Sequence, residues 1–353
     1  MSAPILDLIK ESDLSKVAIF SGAVVDPDGL ASALAMQAIV ESLGGSGVCF
    51  YNGTFNRPQN KTMRQSLSLQ VKNSSEYTPE DFTTVISVDG PSSILPRIDG
   101  KPITPDFIID HHEQSEQASK GNDVRPIGSA SAIMWEYVKA AGIAFDTEEG
   151  SRLATALAIG IITDTQVGGV DSSSDLDYEA LADCLKHKDN KLYQEILNYP
   201  EPAYYNDLHN IGWSSKIKGE AAMVAGLGRL PAGRSGAISD LTERFHRTEG
   251  TTLAVVFALV EDAAARSYEI HASLRHSRGS CNSDEFMKEV FGCGGGKKNA
   301  GGAQVKLPDL FKDIPPKMAD KLFDVVKEVI AHKVLKAAGD GARDNVPGSG
   351  TAP

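Results

Sequence analysis

Four short acidic segments hold the residues best suited to chemistry. They are Asp26 and Asp28 in VVDPDGLASA, Asp89 in VISVDG, Asp110, His111 and His112 in FIIDHHEQ, and Asp164 in GIITDT. Carboxylates mixed with imidazole suit divalent cations, Mn²⁺ first, with Mg²⁺, Fe²⁺ and Co²⁺ as alternatives. A thiolate-rich zinc site would need clustered cysteines, but Cys49, Cys184, Cys281 and Cys293 lie scattered without CxxC spacing, which also argues against a disulfide framework. Taken singly, each segment has an ordinary structural explanation: an Asp-x-Asp before a helix usually caps it, and a His-His pair is commonly one buried and one solvated ring. Their ordered recurrence after apolar runs is what points to a shared metal pocket. A second group lies further on, with Arg275 in ASLRHS and Gly294, Gly295 and Gly296 followed by Lys297 and Lys298 in GCGGGKKNAGGA. Consecutive glycines let backbone N–H groups approach a phosphate, and lysines add point charge. A P-loop is excluded, because Phe291 stands where its first Gly belongs and no Ser or Thr follows the Lys.

For the acidic side chains to meet, the apolar runs before them must be parallel strands whose carboxyl ends open on one crevice. The patterning predicts strands at 16–22 (KVAIFSG), 82–88 (FTTVISV) and 107–109 (FII), and helices at 28–43, 130–141 and 152–162. Residues 176–199 read as polar helix and stop at Pro200 and Pro202, the expected linker region. Beyond it, 251–260 and 268–274 read as paired strands of a hairpin-containing α+β unit, 316–337 as a helix, and 339–353 as a disordered tail. Two smaller features take bland readings: Arg244, Phe245, His246 and Arg247 as a solvated helix end, and Ser129 and Ser131 as helix caps.

A length of 353 residues favours two domains, and 41% hydrophobic with 23% charged residues lets both bury cores. The formal charge of −12 repels long polyanions, so duplex DNA is not an expected partner, while a small anion held through metal ions is compatible. The opening MSAPILDLIKESDLSK lacks a signal-like apolar run, and no stretch has the length of a spanning helix. A cytoplasmic protein without a membrane is therefore expected.

The order DPD, VD, DHH and GIITDT over residues 16–185 resembles the DHH phosphoesterases, including their nanoRNase and pAp-phosphatase types. ASLRHS and the glycine run, over about 216–335, resemble the DHH-associated substrate-binding domain. The resemblance implies an α/β fold with an N-terminal parallel-sheet DHH domain (1–190), a linker (191–215), a smaller C-terminal α+β domain (216–337) and a tail (338–353), with the active site in the cleft between domains. It implies a metal-dependent hydrolase acting by a two-metal hydroxide mechanism. Asp26 and Asp89 would hold one Mn²⁺-type ion, and Asp28, Asp89, His111 and Asp164 the other. Asp89 would bridge, Asp110 would orient a ligand, and His112 would contact the substrate phosphate. Arg275, Gly294, Gly295, Gly296 and Lys297 would bind substrate. The implied substrates are short single-stranded oligoribonucleotides, as for an exonuclease, linear dinucleotides or pAp, and a homodimer is compatible. Two positions depart from the pattern. Gly22 stands four residues before Asp26, where the family carries a His ligand, so the first metal site is expected to be weaker. Lys297 stands where the glycine loop usually continues with His. These departures keep a non-catalytic nucleotide sensor in view beside an inorganic pyrophosphatase or polyphosphatase.

Overall fold

The computed structural model describes residues 3–22, 25–91, 95, 97–98, 101–112, 118–167, 172–263, 265–277, 279–297 and 299–339. Lys298 and most of the expected tail, 340–353, lie outside the described residues. The chain divides into two units, 1–200 and 201–353.

The first unit runs α1 (Leu6–Lys10), β1 (Val17–Ser21), α2 (Pro27–Ser42), β2 (Gly47–Tyr51), α3 (Pro58–Ser66), β3 (Val71–Asn73), β4 (Thr84–Val88), the short pair β5 (Arg97–Ile98) and β6 (Lys101–Pro102), β7 (Phe107–Asp110), β8 (Gly121–Val124), α4 (Ala130–Ala140), α5 (Glu148–Thr165), α6 (Asp175–His187) and α7 (Asn190–Leu197). Its main sheet has the order β3-β2-β1-β4-β7-β8, and every pairing in it is parallel. Parallel strands buried on both faces read as continuous apolar runs, and all of VAIFS in β1 is buried. One face packs under α2, α4 and α5 through Leu30, Ile39, Ile133 and Leu157, while Phe20 and Phe50 stack on the other with their centroids 5.1 Å apart. The chain lays β2 and β3 on one side of β1, then returns to place β4 on its other side. This reversal opens a crevice at the carboxyl ends of β1 and β4, where ligands of such sheets bind.

The second unit runs α8 (Tyr204–Ser215), β9 (Ile217–Lys218), β10 (Ala222–Pro231), α9 (Gly236–His246), β11 (Leu253–Asp262), β12 (Ser267–His276), α10 (Ser283–Phe291), β13 (Gly295–Lys297), β14 (Ala300–Lys306) and α11 (Pro316–Ala337). Its sheet has the order β13-β14-β12-β11-β10-β9, with β10 and β11 parallel across the α9 crossover and the other neighbours antiparallel. Two cores flank it, one holding Phe257, Leu274 and Phe323, the other Leu227, Leu241 and Phe245.

The structure adds detail to one expectation and revises another. Residues 191–215, expected as the linker, hold most of α7 and all of α8, and the division between the two units falls within them. The apolar residues of that stretch explain the helices: Leu192, Ile196 and Leu197 pack into the first unit's core, while Tyr205 and Leu208 pack into the second's. The glycine run is not a loop but the strand β13, paired Gly295↔Gly302 and Gly296↔Gly301 with β14. A Cβ on Gly294 would lie 2.4 Å from the Gly302 carbonyl oxygen, and one on Gly296 would lie 2.3 Å from that of Ala300. Glycine is what lets these strands approach so closely.

Candidate metal centre

The end of β1 delivers motif one. Asp26 caps α2, accepting the Gly29 N–H at 2.9 Å, and Pro27 follows at the first helical position. Asp28, in the first turn of the helix and fully buried, is therefore not the cap. Its two oxygens accept the N–H groups of Ala130 and Ser131, each at 2.8 Å, so the N-terminus of α4 steadies its negative charge. The loop before α2 is pinned by two residues that sequence reasoning missed: Asn52 donates to the Gly22 carbonyl at 3.1 Å, and buried Asn60 donates to that of Val25 at 2.5 Å.

The end of β4 delivers Asp89 at φ 57°, a left-handed conformation that aspartate tolerates better than most residues. Its N–H donates to the Ile109 carbonyl at 2.9 Å, which ties it to β7. A Cβ on Gly29 would come within 3.0 Å of Asp89 Oδ2 and 3.3 Å of Asp26 Oδ1, so α2 needs glycine beside these carboxylates. From β7, Asp110 turns its buried carboxylate back onto its own chain, accepting the His111 N–H at 2.8 Å and lying 2.7 Å from His112 Nδ1. It orients the His112 imidazole. His111 Nδ1 is held 3.1 Å from the Ile127 carbonyl oxygen, which points Nε2 at three carboxylates. That nitrogen is 3.3 Å from Asp89 Oδ1, 3.4 Å from Asp164 Oδ2 and 3.9 Å from Asp28 Oδ2.

Two groups of potential ligand atoms thus converge, Asp28 with His111 and Asp164, and Asp89 with His111 and His112, each within 4.8 Å. Although buried, Asp89 Oδ1 and His111 Nε2 make no hydrogen bond, which in a packed interior is costly unless something else completes the site. The electrostatics point the same way. Burial, followed by repulsion from Asp28 and Asp26, raises the Asp89 carboxyl well above the usual range. Burial pulls the His111 imidazole down, but Asp89, Asp28 and Asp164 outweigh it and push its pKa up to about 10. Asp164 sits in the last turn of α5, at the helix end whose carbonyls already carry negative charge. Three carboxylates around one imidazole form an oxygen-rich donor set with a charge deficit, which fits a divalent cation.

The cluster is braced from behind. Asp177 Oδ2 accepts the N–H groups of Gly128 and Ser174 and the Ser174 hydroxyl, and Oδ1 accepts the Ser129 hydroxyl, all within 2.8–2.9 Å. Ser129 in turn caps α4. Asp177 therefore fixes the loop that delivers the amides holding Asp28. The Ser-x-x-Asp spacing of Ser174 and Asp177 is a capping-box pattern visible in the sequence, but its bond to Gly128 is not. A Cβ on Gly160 would lie 2.2 Å from Ser131 Oγ and 3.1 Å from Asp28 Cα, so α5 brings Asp164 to the site only because it carries glycine there.

The other expected site residues belong to the second unit. The Arg275 guanidinium on β12 donates to the Leu274 carbonyl at 2.9 Å and to Ser239 Oγ at 3.1 Å. Gly295, Gly296 and Lys297 form β13, with Gly294 just before it. The basic aromatic cluster resolves into separate roles, with Arg244 paired to Glu201, Arg247 paired to Glu243 at 2.5 Å, and Phe245 in the core.

Fold and site together define a two-unit α/β protein with an acidic, histidine-containing centre at the switch point of a parallel sheet. Residues 228–332 match the family model of the DHHA1 domain. The second unit therefore carries a DHHA1 domain, and the four ordered motifs on the first unit resemble those of the DHH family. An uncharacterised protein of Methanocaldococcus jannaschii is 28% identical over 340 residues, which are 95% of this chain but 66% of that protein, so the chain spans just under two thirds of its relative's length. An exopolyphosphatase-related protein from Bacteroides fragilis shares the fold with a TM-score of 0.67 at 17% identity, over 94% of this chain and 97% of that one. RecJ from Thermus thermophilus, solved in complex with Mn²⁺, is a looser likeness, with a TM-score of 0.45 at 15% identity over 93% of this chain and 54% of that one.

Proposed function

We propose that the protein is a divalent-cation-dependent phosphoesterase, Mn²⁺ being the best-suited ion, acting in the cytoplasm on small nucleotidic phosphodiesters or phosphomonoesters. Short oligoribonucleotides, linear dinucleotides and pAp are the substrate classes. The observation that carries this reading is the buried acidic cluster around His111, with unsatisfied atoms on Asp89 and His111 facing each other. Asp28, Asp89, His111 and Asp164 would hold one cation, and Asp26 with Asp89 a second. Cations so held supply Lewis acidity that polarises a phosphoryl oxygen and lowers the pKa of water toward neutrality.

The chain's own residues do the rest. Asp110 fixes His112, a partly exposed ring, so that it can donate a hydrogen bond to a substrate oxygen. The amides of α4 hold Asp28 in place, which preorganises the ligand set. In the second unit, Arg275 offers a guanidinium suited to a distal phosphate, assisted by Gly294, Gly295, Gly296 and Lys297. Hydrolysis of bis-para-nitrophenyl phosphate tests the reading. Turnover should require Mn²⁺ and vanish in Asp89→Asn, and pyrophosphate should not be a better substrate. Nucleotide binding without turnover of any ester in saturating Mn²⁺ would instead identify a sensor.

A further inference from the structure

We propose that α11 is a self-docking helix through which two copies of this chain pair antiparallel. A helix at the surface of a domain needs one apolar stripe to bury against its core. The stripe that α11 uses is formed by Ala319, Phe323, Ile330, Ala331 and Val334, all buried. The helix carries a second stripe, Met318, Leu322, Val325 and Val329, at spacings of 4, 3 and 4 residues. That is the spacing of a coiled-coil seam. Met318 is 56% exposed, Val325 61% and Val329 50%, with Leu322 half-buried between them. Among the described residues these three are a third of the nine large apolar side chains left exposed, and Leu310, at 83%, lies just before the same helix. Such clustering on one face marks an interaction surface rather than scattered surface apolarity.

Charge selects the occupant and its direction. About a two-fold axis crossing the helix near Phe323, Met318 would face the partner's Val329 and Leu322 would face the partner's Val325. The position flanking the seam on one side is then Lys321 opposite the partner's Glu328, and, by symmetry, Glu328 opposite the partner's Lys321. Among the described residues, neither Lys321 nor Glu328 has an ion-pair or hydrogen-bond partner within its own chain. A parallel pairing would lose this match, because the residue across from Lys321 becomes the partner's Val326. The isologous two-fold arrangement is thus the one for which seam and flank are both complementary. The seam from Met318 to Val329 spans about 17 Å of helix, short for a permanent interface, so the pairing is a concentration-dependent one.

Sedimentation velocity of the full chain, over a concentration range bracketing micromolar, tests the proposal. A reversible monomer–dimer equilibrium is expected. Val325→Glu should be monomeric throughout and melt like wild type at concentrations where wild type is itself monomeric, since that side chain is already mostly in water. Lys321→Glu and Glu328→Lys should each weaken the dimer by about tenfold, because each turns two attractive contacts repulsive. The double variant should restore wild-type affinity. A wild-type chain that stays monomeric, as it would if its own residues 340–353 or an unrelated protein covered the seam, overturns the proposal. So does a dimer that survives Val325→Glu, or a double variant no better than the single ones.

Discussion

Asp177→Asn separates the bracing of the metal centre from the centre itself. Asp177 is 1% exposed and accepts four short hydrogen bonds, three of them on Oδ2. An asparagine that keeps its carbonyl at Oδ2 retains those three but loses their charge assistance, and its NH₂ forces the Ser129 hydroxyl to reverse. The opposite flip sets two N–H donors against the new amide. Charge-assisted bonds are worth about twice neutral ones, so the better flip still costs about 2–4 kcal/mol. For a unit of this size, that lowers the melting midpoint by roughly 10 °C. The loop at Gly128 and Ser129 then holds α4 less firmly, the amides on Asp28 slacken, and cation affinity falls by about tenfold. Melting curves with and without Mn²⁺, paired with calorimetric Mn²⁺ titration, read both effects. Asp175→Asn, exposed in the same first turn, serves as control and should change stability by no more than about 0.5 kcal/mol. An Asp177→Asn protein that melts and binds Mn²⁺ like wild type would refute the bracing argument.

Three further outcomes follow from the same geometry. Asp89→Asn fits the left-handed backbone and removes a carboxyl that burial and its neighbours disfavour, a gain offset by the loss of its attraction to His111, so without metal the variant should stay folded with a midpoint close to that of wild type. Excess Mn²⁺ should no longer raise its midpoint, whereas wild type should gain about 2.7 kcal/mol at a hundredfold excess over Kd. The His111 pKa of about 10 lies above its ordinary 6.5, so its contribution to metal-free stability is complete below pH 6.5 and is lost as pH rises through about 10. A cation must displace that proton, so Mn²⁺ affinity measured by calorimetry in buffers of different ionisation heat should rise with pH across this window, by up to about tenfold per unit, with proton release. Gly160→Ala would favour an isolated helix, yet here it should destabilise by about 1–3 kcal/mol and cut turnover by about a hundredfold, because the methyl group drives α5 off Ser131 and Asp28. A stabilised, fully active variant would contradict the packing described.

Much of the first unit was legible because its chemistry is written locally. Continuous apolar runs gave β1, β4 and β7, and each carries acidic residues at its end or within a few residues beyond it, so a shared pocket could be anticipated without knowing strand order. Strands β3 and β8 escaped notice because VKN and GNDV lack an apolar pattern and owe their state to pairing with neighbours, whereas β2 (GVCFY) carries a short apolar run that was legible but passed over. Asn60 and Asp177 were missed for a related reason, since what they hold, the Val25 carbonyl and the Gly128 N–H, is set by tertiary contact. The glycine run misled in an instructive way: a composition suited to a phosphate loop is equally suited to two strands in close approach. Gly22 looks different in the structure as well. Its φ of 26° is one that a side chain rarely adopts, so a histidine there would meet backbone strain as well as an altered ligand set.

Equilibrium Mn²⁺ binding to the metal-stripped protein at pH 8, followed by calorimetry or by the electron paramagnetic signal of the free ion, bears most directly on whether this cluster is a metal centre. Saturable binding that disappears in both His111→Ala and Asp89→Asn, with each variant still folded, is the predicted result. Absence of saturable binding to the wild-type chain, or binding that both variants retain, would contradict it.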